Sequence, residues 1–283
     1  MAGSATRALD PDVKSGSEVV LETTNAPRSP ERPELSGRPV VYPASLGQQR
    51  LWFLDQLDHA AGAAYHLASG WRLQGRLDPV ALRAALDAIV ARHAVLRTNF
   101  ALLDEQPVQQ IAPADAGFHW VEHELSGLSA EAQRERIHEL SAREAAEPFD
   151  LSAGPLIRGQ LLRLAPEDHL LLITQHHIIS DGWSRGVLVQ EVATLYSAFS
   201  QGEPNPLPPL DIQYADYAAW QRQWLQAEVL QRQANFWKSH LCGAPALLEL
   251  PTDRARPARQ SYAGGTLGLA IPPELTAGLR RLS

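Results

Sequence analysis

His169-Leu170-Leu171-Leu172-Ile173-Thr174-Gln175-His176-His177-Ile178-Ile179-Ser180-Asp181-Gly182 is an apolar run that breaks into a polar turn, and its reading decides the fold. The stretch His169–Gln175 is too short for a buried helix and reads as a strand. Downstream, Leu188, Val192, Leu195, Tyr196 and Phe199 recur at helical spacing, and Gly202 marks the end of that helix. Strand, sharp turn and helix therefore follow one another, with two histidines, Asp181 and Gly182 gathered at the turn. This geometry exposes side chains at the end of a strand. It also directs the N–H groups and positive dipole end of the following helix toward the same spot.

Working outward, Leu156–Leu164 reads as a second strand, joined to the first by a turn at Ala165-Pro166-Glu167-Asp168. Residues 78–93 are predicted helical. Asp78 suits the N-cap, Pro79 the first helical position, and Leu82, Leu86, Ile89 and Val90 share one face. A more polar helix starts at Ser129 and must end before Pro148. Glu203–Leu210 is a proline-stiffened connector. Helical segments from Ile212 to Leu241 carry Trp220, Trp224, Phe236 and Trp237, whose simplest use is core or lobe packing rather than ligand stacking. Gly265–Ile271 reads as a strand and Pro273–Leu282 as a helix. Residues 1–40 are rich in Ser, Pro, Gly and charge, and read as a disordered leader or linker.

The composition narrows the function classes. The formal charge of −7 over 283 residues comes with no basic stripe, so a nucleic-acid partner is not expected. Cys242 is the sole cysteine and can neither close an internal disulfide nor build a cysteine-rich metal site. No apolar run is long enough to span a bilayer, and Met1–Ala5 opens no signal peptide. A cytoplasmic protein with no membrane partner is the expectation.

Three chemistries compete for the turn, against the plain use of a histidine pair in packing. Metal binding is disfavoured, because adjacent strand residues point to opposite faces and no further His/Cys/Glu cluster completes a site. A serine hydrolase is suggested by Gly182-Trp183-Ser184-Arg185-Gly186, which matches G-x-S-x-G between a strand and a helix. Its triad would then need His240, which lies in a helical pattern. The third is acyl transfer assisted by a base, without a covalent intermediate: one histidine faces the reactants, the other is held inside, and Asp181 fixes the turn. The residues favour this third reading.

Several stretches, in order along the chain, resemble the motifs of condensation domains of non-ribosomal peptide synthetases. Ser45-Leu46-Gly47-Gln48-Gln49-Arg50-Leu51-Trp52-Phe53-Leu54 is similar to the first, with Gly47 where Ala is usual. Arg92-His93-Ala94-Val95-Leu96-Arg97-Thr98-Asn99-Phe100 is similar to the second, with Ala94 where Glu is typical. His176–Ser184 resembles the HHxxxDG signature, Tyr214-Ala215-Asp216-Tyr217-Ala218-Ala219-Trp220 the fourth motif, and Leu250-Pro251-Thr252-Asp253-Arg254 continues the likeness.

The resemblance implies an α+β fold, an α-β sandwich in which one chloramphenicol-acetyltransferase-like lobe is followed by the start of a second. Residues 41–210 would form the first lobe, and 211–283 the linker helices and start of a truncated second. It further implies that His177 is catalytic, that His176 and Gly182 support the site, and that Asp181 is salt-bridged to Arg92, or else to Arg97. His93 is expected to pack, and Ser180 and Ser184 to serve the turn. No metal or covalently bound cofactor is implied. The substrates would arrive on phosphopantetheine arms of donor and acceptor carrier proteins, in an assembly line with adenylation domains. The later motifs are missing, so the chain is expected to be a fragment. The alternatives are an inactive remnant or carrier-binding module, and a related epimerisation domain or HHxxxDG acyltransferase.

Overall fold

The computed structural model describes residues 40–57, 62–257 and 267–282, all within the unit Leu35–Ser283. The leader expected over residues 1–40 lies outside them up to residue 39, and Val40 opens the first strand. A small antiparallel sheet holds β1 (Val40–Pro43), β3 (Thr98–Leu103) and β4 (Gln106–Ile111) in the order β1-β4-β3. A larger sheet holds β2 (His66–Gln74), β5 (Trp120–Glu124), β6 (Ile157–Ala165) and β7 (Asp168–His176) in the order β2-β7-β6-β5. In it β5 and β6 run parallel and the other pairs antiparallel.

The predicted hairpin is present, with Ala165 opposite Asp168 at the turn. β7 lies inside the larger sheet and is covered on both faces, which is why its apolar run is unbroken. Leu171 and Ile173 join one core with Leu82, Leu86, Ile89 and Val90 of α2 (Pro79–Arg92) and with Leu188, Val192 and Leu195 of α4 (Gly182–Phe199). On the opposite face Leu172 meets Leu140 of α3 (Ala130–Ala146), together with Leu162 and Leu164. At Gly159 the sheet and this first core approach closely. A Cβ there would stand 2.8 Å from the Leu172 carbonyl oxygen and 3.0 Å from the Phe118 ring.

The helix ends follow their predicted caps. Asp78 Oδ1 accepts from the N–H groups of Val80 and Ala81 at 2.9 and 3.1 Å, and Pro79 occupies the first turn. Ser129 Oγ accepts from Ala132 N–H at 3.3 Å, and α3 stops at Ala146, ahead of Pro148.

Two expectations beyond residue 211 are corrected. Of the core or lobe packing expected for the aromatic residues of α5 (Tyr214–Trp224) and α6 (Ala227–His240), the core half is not met: Trp220, Trp224, Phe236 and Trp237 are all exposed. Trp220 and Trp224 stack on one another instead, with centroids 5.4 Å apart. The strand expected over 265–271 is absent from its described part, 267–271. Leu267 and Leu269 stand exposed, with no neighbouring strand among the described residues to complete their backbone hydrogen bonds. The helix predicted at Pro273–Leu282 forms as α7.

Candidate functional site

The turn after β7 is built so that its two histidines part company. His176, the last strand residue, is 1% exposed, whereas His177 lies in the open. Successive strand residues face opposite ways, and the side chain of His176 is directed to the α3 side, among Tyr65, His66 and Phe149. Its Nδ1 accepts from the Ile178 N–H at 3.1 Å, so its neutral ring carries the proton on Nε2. Burial, with smaller contributions from the nearby His66 and His177 rings, pushes its pKa down to about 4. His176 is therefore an uncharged anchor. His66 is held in the same neutral direction by burial, and its Nδ1 lies 2.7 Å from the Ala145 carbonyl oxygen.

The backbone around His177 is pinned at each peptide. His177 N–H donates to Tyr65 O at 2.8 Å, and Ile179 N–H donates to His176 O at 3.0 Å. The side chains of Ile178 and Ile179 plug into the core as buried anchors. From a distant helix, α1 (Leu46–Leu57), Gln48 Nε2 donates to Ile178 O at 3.3 Å. The result is an exposed imidazole on an immobilised main chain.

Asp181 begins α4 as its N-cap, accepting from Ser184 N–H at 2.8 Å and Ser184 Oγ–H at 2.6 Å. These bonds, the hydroxyl's first, hold its carboxyl below the usual aspartate range. The arginine pairing expected for Asp181 is not made. Arg92 Nε donates to Glu191 Oε1 at 3.2 Å and its Nη1 to Pro208 O, while Arg97 Nη1 donates to Ala112 O. Glu191 lies ten residues beyond Asp181 on α4, roughly 15 Å along the helix axis, so Arg92 is committed elsewhere. His93 also departs from its packing role, because its Nε2 lies 2.6 Å from Glu191 Oε2. Ser184 behaves as a cap residue. Its hydroxyl is given to Asp181 and sits in the first turn of a helix, while His240 keeps to Phe236 and Trp237. The nucleophile–base contact of a serine hydrolase is therefore not formed. Around Gly182 a Cβ would meet open space.

The segments of the first, second and fourth motifs are tied to the turn or to one another. Ser45 and Gln48 form a capping box at the start of α1: Gln48 N–H donates to Ser45 Oγ at 3.2 Å, and Ser45 N–H to Gln48 Oε1 at 3.0 Å. Tyr214, opening α5, reaches Ser45 Oγ with its hydroxyl at 2.9 Å. Burial raises the Tyr214 pKa, and the Asp181 charge acts on it in the same direction. Arg222 of α5 donates to Ala44 O and to Gln49 Oε1 at 2.9 and 3.0 Å. Gln213 takes the Ala94 N–H on Oε1 and gives a bond to Arg92 O, each at 3.0 Å. Gln48 and Tyr214 lie in motif runs without a role of their own being legible, and Glu191 and His66 lie in none. Of these, the S-x-x-Q spacing of Ser45 and Gln48 was a readable signal; the others show their partners only in three dimensions.

The family model for the condensation domain matches residues 40–283. Malpibaldin synthetase of Mortierella alpina is 47% identical over 239 residues, covering 84% of this chain and 4% of that protein. Phosphinothricin tripeptide synthetase PhsC of Streptomyces viridochromogenes is 40% identical over 280 residues, covering 98% of this chain and 25% of that protein. Among solved structures, the X-domain from teicoplanin biosynthesis superposes with a TM-score of 0.66 at 33% identity, over 78% of this chain and 48% of that one. The chain thus spans a small part of these curated relatives and about half of that solved chain. It belongs to the condensation-domain family, and its α/β architecture is the one expected from the resemblance.

Proposed function

We propose that this chain carries the histidine-bearing part of a site that forms peptide bonds between carrier-tethered thioesters, with residues 41–210 as the lobe that presents it. The acceptor's amine nitrogen attacks the donor's thioester carbon. A C–N bond forms, the C–S bond breaks, and the donor's thiol leaves with a proton. His177 is the group placed to handle the amine's proton or to steady the tetrahedral intermediate. Asp181 and His176 hold the turn, and the open space at Gly182 leaves room for a reactant beside the backbone. The substrates come on phosphopantetheine arms of two carrier proteins, loaded by adenylation domains.

The observation that carries this reading is the asymmetry of the pair: a buried, neutral His176 beside an exposed His177 whose backbone is fixed. Ser184 gives its hydroxyl hydrogen to Asp181, which supports a direct transfer rather than one through an acyl-enzyme. The test is single-turnover condensation between loaded donor and acceptor carriers, with this chain inside a complete condensation domain. Wild type is expected to give the dipeptidyl acceptor, and His177→Ala to slow it by at least about a hundredfold. Unchanged product with His177→Ala would overturn the assignment.

A further inference from the structure

The hydrogen bonds around Ile178 point to a residue outside the histidine motif that sets the position of His177. Most contacts of the turn are local. His176 supplies Nδ1 to Ile178 N–H and its carbonyl to Ile179 N–H, and the turn just before β2 supplies Tyr65 O to His177 N–H. The carbonyl of Ile178 has a different kind of partner, a side-chain amide 130 residues earlier in the sequence.

That amide belongs to Gln48, which is 2% exposed and uses both ends of its carboxamide. Oε1 accepts the Ser45 N–H at 3.0 Å. Nε2 faces Ile178 O at 3.3 Å and Gln109 Oε1 at 3.4 Å. Gln109, itself 1% exposed, passes the chain on by donating to Pro43 O at 2.9 Å. The position thus demands an acceptor on one side and two donor directions on the other. A carboxamide meets that demand. A carboxylate of the same length presents acceptors to two acceptors, and asparagine is shorter by one methylene.

We infer that Gln48 is a positioning residue for His177, clamping the Ile178 carbonyl from α1 so that the imidazole is presented in one place. The inference rests on His177 being the group that acts in condensation. It goes further by assigning a role in that chemistry to a side chain of the first motif, which touches neither His177 nor the open face of the site. Because the same residue caps α1 with Ser45, which holds Tyr214, and also faces Gln109, the clamp is braced by two further elements, α5 and β4.

Gln48→Leu removes the clamp, and Gln109→Leu serves as its control. The control breaks the same buried amide chain while leaving the Nε2 bond to Ile178 O. Gln48→Glu keeps the length and loses the donor. Amide hydrogen exchange on the full chain should show residues 177–179 exchanging about tenfold faster in Gln48→Leu and Gln48→Glu than in Gln109→Leu. In a complete condensation domain, kcat should fall roughly 10- to 100-fold for the two Gln48 variants, with KM for the loaded carriers little changed. Gln109→Leu should keep its kcat even where its melting temperature has dropped as far. Equal exchange at 177–179 in Gln48→Leu and Gln109→Leu, or equal kcat in the two, would overturn the inference. A different result, His177→Ala condensing as fast as wild type, would remove the functional reading and leave the exchange data to judge the clamp alone.

Discussion

At His176 the ring titrates at about 4 in the folded protein, against 6.5 when unburied. Between those values the unfolded chain binds a proton that the folded chain does not. Stability is therefore fully present above about pH 6.5 and declines as pH falls toward 4. The full difference amounts to about 3 kcal/mol, and the depressed pKa of His66 acts in the same direction. Urea midpoints measured between pH 7 and pH 5 should fall for the wild type and fall less for His176→Asn, whose Oδ1 can still accept the Ile178 N–H. An equally steep fall in the variant would show that His176 is not the group responsible. At this scale the sequence showed which residues matter but not always what they touch. That His176 and His177 face different ways was legible from strand alternation, whereas which of them acts came only with the resemblance, since Gln175 and His176 are both buried and the strand ends before His177. The partner of Asp181 was not, since several arginines lie at plausible sequence distances and only the packing of α2 against α4 gives Arg92 to Glu191. The correction changes the energetics. A capping aspartate is worth about 1 kcal/mol, whereas breaking a buried ion pair costs about 3–5 kcal/mol.

The β6–β7 hairpin is the element that carries the turn, and its position depends on how closely β6 meets the core. Gly159 lies opposite Ile173 in the ladder, and any side chain there would strike the Leu172 carbonyl and the Phe118 ring. Backbone cannot give way as a flexible side chain can, so Gly159→Ala is expected to destabilise the protein by about 1–3 kcal/mol, read as a lower midpoint in a urea or thermal melt. A variant as stable as wild type would mean that β6 has room to shift. The hairpin, α2, α3 and α4 were readable because each announces itself locally: alternation or an apolar run, an Asp-Pro or Ser start, a glycine or proline stop. The close approach at Gly159 was not readable, since a lone glycine in a strand does not say what lies across from it. Nor was the joint between α2 and α4, where Glu191 gathers both Arg92 and His93, because its members are about a hundred residues apart in sequence.

Across the molecule, apolar burial is uneven. α2 and α4 sink their apolar stripes into the core, but α6 and α7 have no buried residue at all. Leu275, Leu279 and Leu282 form an exposed stripe on α7, and Leu230, Phe236 and Trp237 are exposed on α6. Both helices were legible in the sequence, but what covers them was not, because an aromatic-rich amphipathic pattern specifies a face to be covered without specifying the cover. Helices of this length are marginal in water without tertiary packing, and exposed apolar area of this kind favours association. The 283-residue chain by itself is therefore expected to bind a dye such as ANS and to shift to larger species with rising concentration in light scattering. Its hydrogen exchange should be fast over α6 and α7 and slow over β6 and β7, whose core contacts do not involve those helices. Extending the chain to the length of the solved relatives should suppress both dye binding and association. A monomer that binds no dye, with protected amides in α6 and α7, would show that those faces are covered within this chain after all.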